Sequence, residues 1–261
     1  MIDFEEGRIS IRLSEGTFYT LQKDIANFCF FNNDGSCNEN GFYNCILPTL
    51  HKNRLIDRER LRNVLKKRFS NKIKPEFKEG VFEELDDIFN TVQYEDKGMQ
   101  YHNAKLDIRL SKENMKFFSP VFSLLEKQEI PKSAYIRNLL NQYSSMRTDE
   151  REYLCFVNEY EELTTIALDN VVIEFMSNGQ TETLFPITVS LCRYDNELYV
   201  ICLMPQSDDY ILKSYRLCEF KSYKTQAITF DVPEFIMSKV KSIIAKFEYY
   251  KKPSIRLNGA K

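Results

Sequence analysis

Two short segments carry the clearest binding chemistry of this chain. Arg8, Ser10 and Arg12 alternate with Ile9, Ile11 and Leu13, and Lys105, Asp107 and Arg109 alternate with Leu106, Ile108 and Leu110. Alternation of period two places each polar set on one face of a strand. Four of these six polar residues are cationic. Such a face suits phosphate or base contact, Asp107 opposes it, and a purely structural ribbon is the equal alternative. A second concentration of charge lies at 51–74, where ten Lys or Arg, among them Arg58, Arg62 and Lys66, stand against Asp57 and Glu59, a net of +8. The following stretch, 76–96, carries a net of −7. Neighbours of opposite sign either form a helix pair with complementary faces or leave a basic helix for a phosphate backbone. The nearness of the acids favours the pair.

Other chemistries lack their patterns. No glycine-rich phosphate loop, zinc-protease helix or nucleophile elbow occurs, so nothing points to an enzyme or to a cofactor. The two histidines, His51 and His102, stand in no catalytic setting. Seven cysteines include no CxxC pair. Cys29, Cys37 and Cys45 are evenly spaced ahead of His51, but a structural zinc site shows at least one close ligand pair. Reduced thiols of a cytoplasmic protein are the expectation. The first residues show no secretory signal, and no apolar run is long enough to span a bilayer. With 261 residues, 43% hydrophobic and 28% charged, the chain has ordinary globular composition. Its net charge of −2 means that any polyanion site must be a local patch.

These residues need elements to hold them, and a repeat supplies the elements. Ile-Arg-Leu-Ser stands at Ile11–Ser14 and recurs 97 positions later at Ile108–Ser111. Each copy is a strand followed by a serine placed to N-cap a helix. The helical stripes are Phe18, Leu21, Ile25, Phe28 and Met115, Phe118, Phe122, Leu125, shifted by the same offset. Pro120 predicts a kink in the second. A further helix follows in each copy, around Phe42–Leu50 with Pro48 inside it, and from Pro131 to Tyr143. Between the copies, Leu55–Phe69 and Phe82–Phe89 carry helical stripes.

Beyond 148, one helix is expected over Asp149–Thr165, capped by Thr148. Strands then crowd at Val171–Phe175, Thr183–Cys192, Leu198–Met204 and Tyr210–Leu217, the spacing of a small barrel or strongly bent sheet. The segment 170–231 has a net charge of −3, and the tail 232–261 has +5 with an apolar helical stripe after Pro233.

The strand-helix-helix copies resemble the ribbon-helix-helix family, in which an exposed two-stranded ribbon reads the DNA major groove. The resemblance gives the ribbon contacts as Arg8, Arg12, Lys105 and Arg109. The stretch 149–231 resembles a WYL domain, a bacterial module with an Sm-like, SH3-type barrel. Leu198-Tyr199-Val200 stands at its Trp-Tyr-Leu strand, Tyr215-Arg216-Leu217 at its later aromatic-Arg-Leu strand and Pro186 at its upstream proline. Leu198 replaces the tryptophan. WYL domains are regarded as ligand- or nucleic-acid-sensing, which implies a shared pocket at Tyr199 and Arg216. Arg193 and Lys213 join as cations from their strand positions. The alternative is that Tyr199, between Leu198 and Val200, is core with its hydroxyl satisfied.

The expected fold is therefore α+β: a tandem ribbon-helix-helix domain over 1–147 with a charged helical insertion at about 51–100, a WYL domain over 148–231, and a helical tail over 232–261. The combination resembles the accessory WYL proteins of type VI-D CRISPR systems. That implies a single-stranded RNA-binding protein that stimulates a CRISPR effector nuclease. The alternative is a transcription regulator whose ribbon binds duplex DNA and whose barrel senses a ligand. A third class is an interaction scaffold. A homodimer is expected from the apolar stripes, and no membrane contact.

Overall fold

The computed structural model describes residues 7–70, 72–90, 103–177, 179–206, 209–220, 222–247 and 254–257. The chain is α+β and divides into two compact units, 1–145 and 146–261. Among the described residues no helix is long and apolar enough to cross a membrane.

In the first unit β1 (Arg8–Leu13) pairs antiparallel with β2 (Ala104–Arg109), with Ile9 opposite Ile108 and Ile11 opposite Leu106. Alternation buries Ile11, Leu13, Leu106 and Ile108 on one face. Each strand leads into a helix: α1 (Glu15–Asn27) and α4 (Lys112–Lys127). Their N-caps are Ser14, whose hydroxyl accepts from the Thr17 N–H, and Ser111, whose hydroxyl accepts from the Asn114 N–H. The core is completed by α5 (Lys132–Ser145) and by the first half of α2 (Glu39–Ser70), which buries Phe42, Tyr43, Ile46, Leu47, Leu50 and His51.

Here α2 departs from expectation. The second repeat helix and the basic insertion helix are one continuous element of 32 residues, about 48 Å long at 1.5 Å per residue. Pro48 lies inside it. A proline cannot donate to the carbonyl four residues back, which is that of Asn44. That carbonyl instead accepts from the Asn114 side chain at 2.7 Å. The charged segment therefore begins inside a core helix. Its other member is α3 (Pro75–Asn90), and residues 91–100 of the expected insertion lie outside the described residues. Pro120 likewise sits within an unbroken α4.

The second unit opens with two helices where one was expected, α6 (Thr148–Cys155) and α7 (Val157–Leu168). The break is Phe156, which leaves helical geometry (φ −128°, ψ 32°) and is buried. The N-cap position of α6 is Arg147, one residue earlier than Thr148. Six antiparallel strands follow: β3 (Val171–Ser177), β4 (Gln180–Cys192), β5 (Glu197–Gln206), β6 (Asp209–Arg216), β7 (Tyr223–Thr229) and β8 (Ser254–Leu257). Helix α8 (Glu234–Phe247) precedes β8.

The strand order is β7-β3-β4-β5-β6-β8, an open sheet and not the closed barrel expected. Closure would need the end strands to pair. Instead the free edge of β6 is taken by β8 from the chain's tail. The tail is thus a helix plus a strand. The thirteen-residue β4 changes partner along its length, pairing with β3 up to Leu184 and with β5 from Phe185. The register shifts between Pro186 and Thr188. Proline has no N–H for the ladder and is at home at such a bulge. In β5 every residue from Leu198 to Leu203 is buried, and α8 covers Tyr199, Ile201 and Leu203 with Ile236 and Val240.

Candidate nucleic-acid interface

The outward face of the ribbon carries all six polar residues of the repeat. The register sets Arg8 opposite Arg109, Ser10 opposite Asp107 and Arg12 opposite Lys105. Arg8, Arg12, Lys105 and Arg109 are exposed. Two cationic pairs thus flank a central Ser10–Asp107 pair, and like charges placed directly across a ladder oppose pairing. Ser10 donates a short hydrogen bond to Asp107, Arg8 pairs with the same carboxylate at 2.8 Å, and Lys105 lies 3.6 Å from it. The Ser10 hydroxyl and the Arg8 guanidinium hold Asp107 down at about 2, so it stays ionised. The face has four cations and one anion.

The sheet hydrogen bonds hold this face from one side and α2 from the other. Asn40 Oδ1 accepts from the Arg109 N–H at 3.0 Å, and Asn44 Nδ2 donates to the Arg109 carbonyl at 2.9 Å. Asn44 Oδ1 also accepts from the Ser111 N–H at 2.7 Å. The edge of β2 at Arg109 is therefore capped by side chains. These asparagines were missed in the sequence. Their signal is a polar i, i+4 pair one position removed from a buried helical face.

The residues of the expected pocket lie in the second unit with protein partners. Tyr199 is 2% exposed. Its hydroxyl donates to Asp195 at 2.8 Å and to Glu197 at 3.1 Å, and burial with these carboxylates pushes its pKa far up. Arg216 pairs with Glu152 at 3.1 Å and with Glu197 at 3.0 Å. Burial by itself would lower the Arg216 pKa, and the surrounding negative charge, led by Glu152, raises it instead. Glu152 has no exposure. It also accepts from the Leu198 N–H at 2.7 Å. Burial lifts its carboxyl to about 7, against the pull of Arg216 and that N–H. Lys213 pairs with Glu182 at 2.7 Å, and the Tyr215 hydroxyl donates to the same carboxylate. Arg193 is in the exposed turn after β4 and not on a strand. Tyr199 and Arg216 do meet, through Glu197, as a network tying β5, β6 and α6. Glu152 was missed in the sequence, although it stands four residues before Phe156, on the side of the helix that the apolar stripe turns inward.

In the charged hairpin, Arg62 and Lys66 both reach Asp86 of α3, at 2.6 Å and 2.7 Å. Arg58 lies one turn from Arg54, and burial together with that neighbour lowers its pKa. Among the described residues no cluster of His, Cys, Asp or Glu could hold a metal ion. Cys37 is exposed, and His51 Nδ1 lies 2.5 Å from the Tyr135 hydroxyl.

No family model matches the chain, and no curated protein matches it. Among solved structures it is similar to one described as the crystal structure of a CRISPR Cas-related protein, with a TM-score of 0.59. The two share a fold. The match covers 95% of this chain and 72% of that one at 14% identity, so the likeness concerns the whole path of the chain and not its residues.

Proposed function

We propose that this protein is a single-stranded RNA-binding accessory protein of a CRISPR system that stimulates an RNA-guided RNA nuclease in the cytoplasm. The observation that carries the reading is the ribbon face, with its two pairs of exposed cations on a scaffold fixed by α2. A solvent-facing arrangement that sets like charges against each other gains from an anionic ligand. The fold shared with a CRISPR Cas-related protein supports the biological setting. In this reading 1–147 is a tandem ribbon-helix-helix unit, 148–231 a WYL domain, and the chain a homodimer. Exposed Leu55, Ile56, Leu61 and Val64 on α2 supply apolar surface for self-association.

A second reading keeps the ribbon and changes the ligand. A two-stranded antiparallel ribbon is a shape that the DNA major groove admits, which favours a duplex-binding regulator. Titration of matched single-stranded RNA and duplex DNA at one salt concentration separates the two. The expected outcome is tighter RNA binding, at least tenfold weakening in Arg12→Ala with Arg109→Ala, and faster RNA cleavage by the nuclease when the protein is added. Tighter duplex binding, lost in the same variant, sinks the RNA reading in favour of the regulator.

A further inference from the structure

The ribbon supplies charge without an aromatic surface, and Tyr199 is buried. The first unit has such a surface elsewhere, across α2, α4 and α5. Phe117 meets Phe118 edge to face with ring centroids 5.0 Å apart, and Phe118 stacks on Phe122 at 5.5 Å. His51 stands edge-on to Phe117 and to Phe118, 5.6 Å from each. Phe118 and Tyr135 are buried, whereas Phe117 and Phe122 are half-buried. Three cations lie over the rings: Lys52 over Phe117 at 5.9 Å, Arg54 over Tyr135 at 5.5 Å and Lys132 over Phe122 at 5.3 Å. Lys132 also pairs with Glu126 at 2.6 Å. Burial and Arg54 lower the His51 pKa, so the imidazole is neutral at pH 7.

We infer that this face is a stacking site for single-stranded RNA, with bases on the rings of Phe117 and Phe122 and with Lys52, Arg54 and Lys132 turned from the rings to the phosphates. The inference rests on the RNA reading above. Single-strand sites combine ring stacking with attraction to the backbone, and both parts are side by side here. Lys52 is exposed and Arg54 and Lys132 are half-buried, and cation–ring contacts short of full burial are weak enough to be exchanged for a phosphate. The site lies a short way along the two helices that meet the end of the ribbon, where Asn44 holds the Ser111 N–H. Phe117 is six residues beyond Ser111, about 9 Å along α4, and Lys52 is eight beyond Asn44, about 12 Å along α2. One strand can therefore cross the ribbon and reach the rings.

The chain has no tryptophan, which gives a direct test. Phe117→Trp installs a single indole. An oligouridylate of about 12 nucleotides, within the range that single-strand binders cover, is expected to quench its emission. Phe117→Leu with Phe122→Leu is expected to bind this RNA at least fivefold more weakly and duplex DNA unchanged. Because Phe122 packs on Phe118, Lys52→Gln with Lys132→Gln serves as a second variant that leaves the rings in place, and a threefold or greater loss is expected. Wild-type RNA affinity in both double variants, with wild-type melting temperature, overturns the stacking site and leaves the RNA reading standing. That result is also what a protein partner on this face would give. Equal losses on RNA and duplex DNA overturn it as well. A wild-type protein that binds no single-stranded RNA removes both readings together.

Discussion

Glu152 and Arg216 are bound to each other's charge. Glu152 has no exposure, so its ionised form depends on the guanidinium and on the Leu198 N–H. Removing one partner of a buried pair typically costs about 3–5 kcal/mol, because the other is left uncompensated. A carboxyl can avoid that penalty by taking up a proton. In the native protein burial already holds Glu152 at about 7, above the usual carboxyl value of 4.5. A raised folded-state pKa favours folding in acid, and the contribution is lost as pH rises through the folded pKa. Arg216→Ala removes the strongest force holding the carboxyl down and extends that loss to higher pH. Urea unfolding of Arg216→Ala is therefore expected to show a small deficit at pH 5 and one of several kcal/mol at pH 8. A deficit independent of pH would mean that Glu152 does not carry the effect. Stability must be measured beside any binding experiment on Arg216 or Tyr199, since both lie within the packing of the second unit.

At the scale of elements, the ribbon trades stability for its face. Arg12 opposite Lys105 and Arg8 opposite Arg109 are like-charge pairs across a ladder. Arg12→Thr relieves one of them with a residue that suits strands. Its expected effect is a gain in stability of a few tenths of a kcal/mol together with weaker RNA binding. Thermal unfolding and titration of the same sample check both signs, and a loss of stability would contradict the account. The ribbon itself was legible because an alternating tetrapeptide, its capping serine and a helical stripe all recur at one offset. How a helix could run through Pro48 was not legible, because the side chain that takes up the freed Asn44 carbonyl, that of Asn114, is 70 residues away in sequence. The α6–α7 break was hidden because Phe156 continues the helical stripe, so the pattern runs straight through the buried residue at which the helix breaks. The two end strands escaped notice for different causes. Tyr223–Thr229 is mostly exposed and lacks the alternation of a half-buried strand. Ser254–Leu257 is only four residues long, though it repeats the Ser10–Leu13 tetrapeptide letter for letter. Without β8 on the edge of β6, a barrel was the natural reading. The cations of the site were visible as residue types and the apolar neighbours of Tyr199 marked it as a core residue, whereas the pairing of Arg216 with Glu152, 64 residues earlier, depends on packing.

For the whole molecule, a net charge of −2 leaves no general attraction for a polyanion. Binding must come from patches, and its salt dependence counts them. Single strands give a slope of about −0.7 in log affinity against log salt for each phosphate neutralised. Four ribbon cations alone correspond to a slope of roughly −3, and Arg12→Ala with Arg109→Ala should flatten it by about 1.4. An unchanged slope in that variant would place the phosphate contacts away from the ribbon. The repeat has one further consequence. Two identical subunits about a two-fold axis would present the same residue twice at the ribbon's centre. Here one chain supplies both halves, and the central positions have diverged into Ser10 and Asp107. A nucleic acid strand has a 5′ end and a 3′ end, and a perfectly symmetric surface cannot tell them apart. Joining the halves in one polypeptide lets the central position differ in charge between them, which gives the face a direction of its own and makes its assembly independent of dilution.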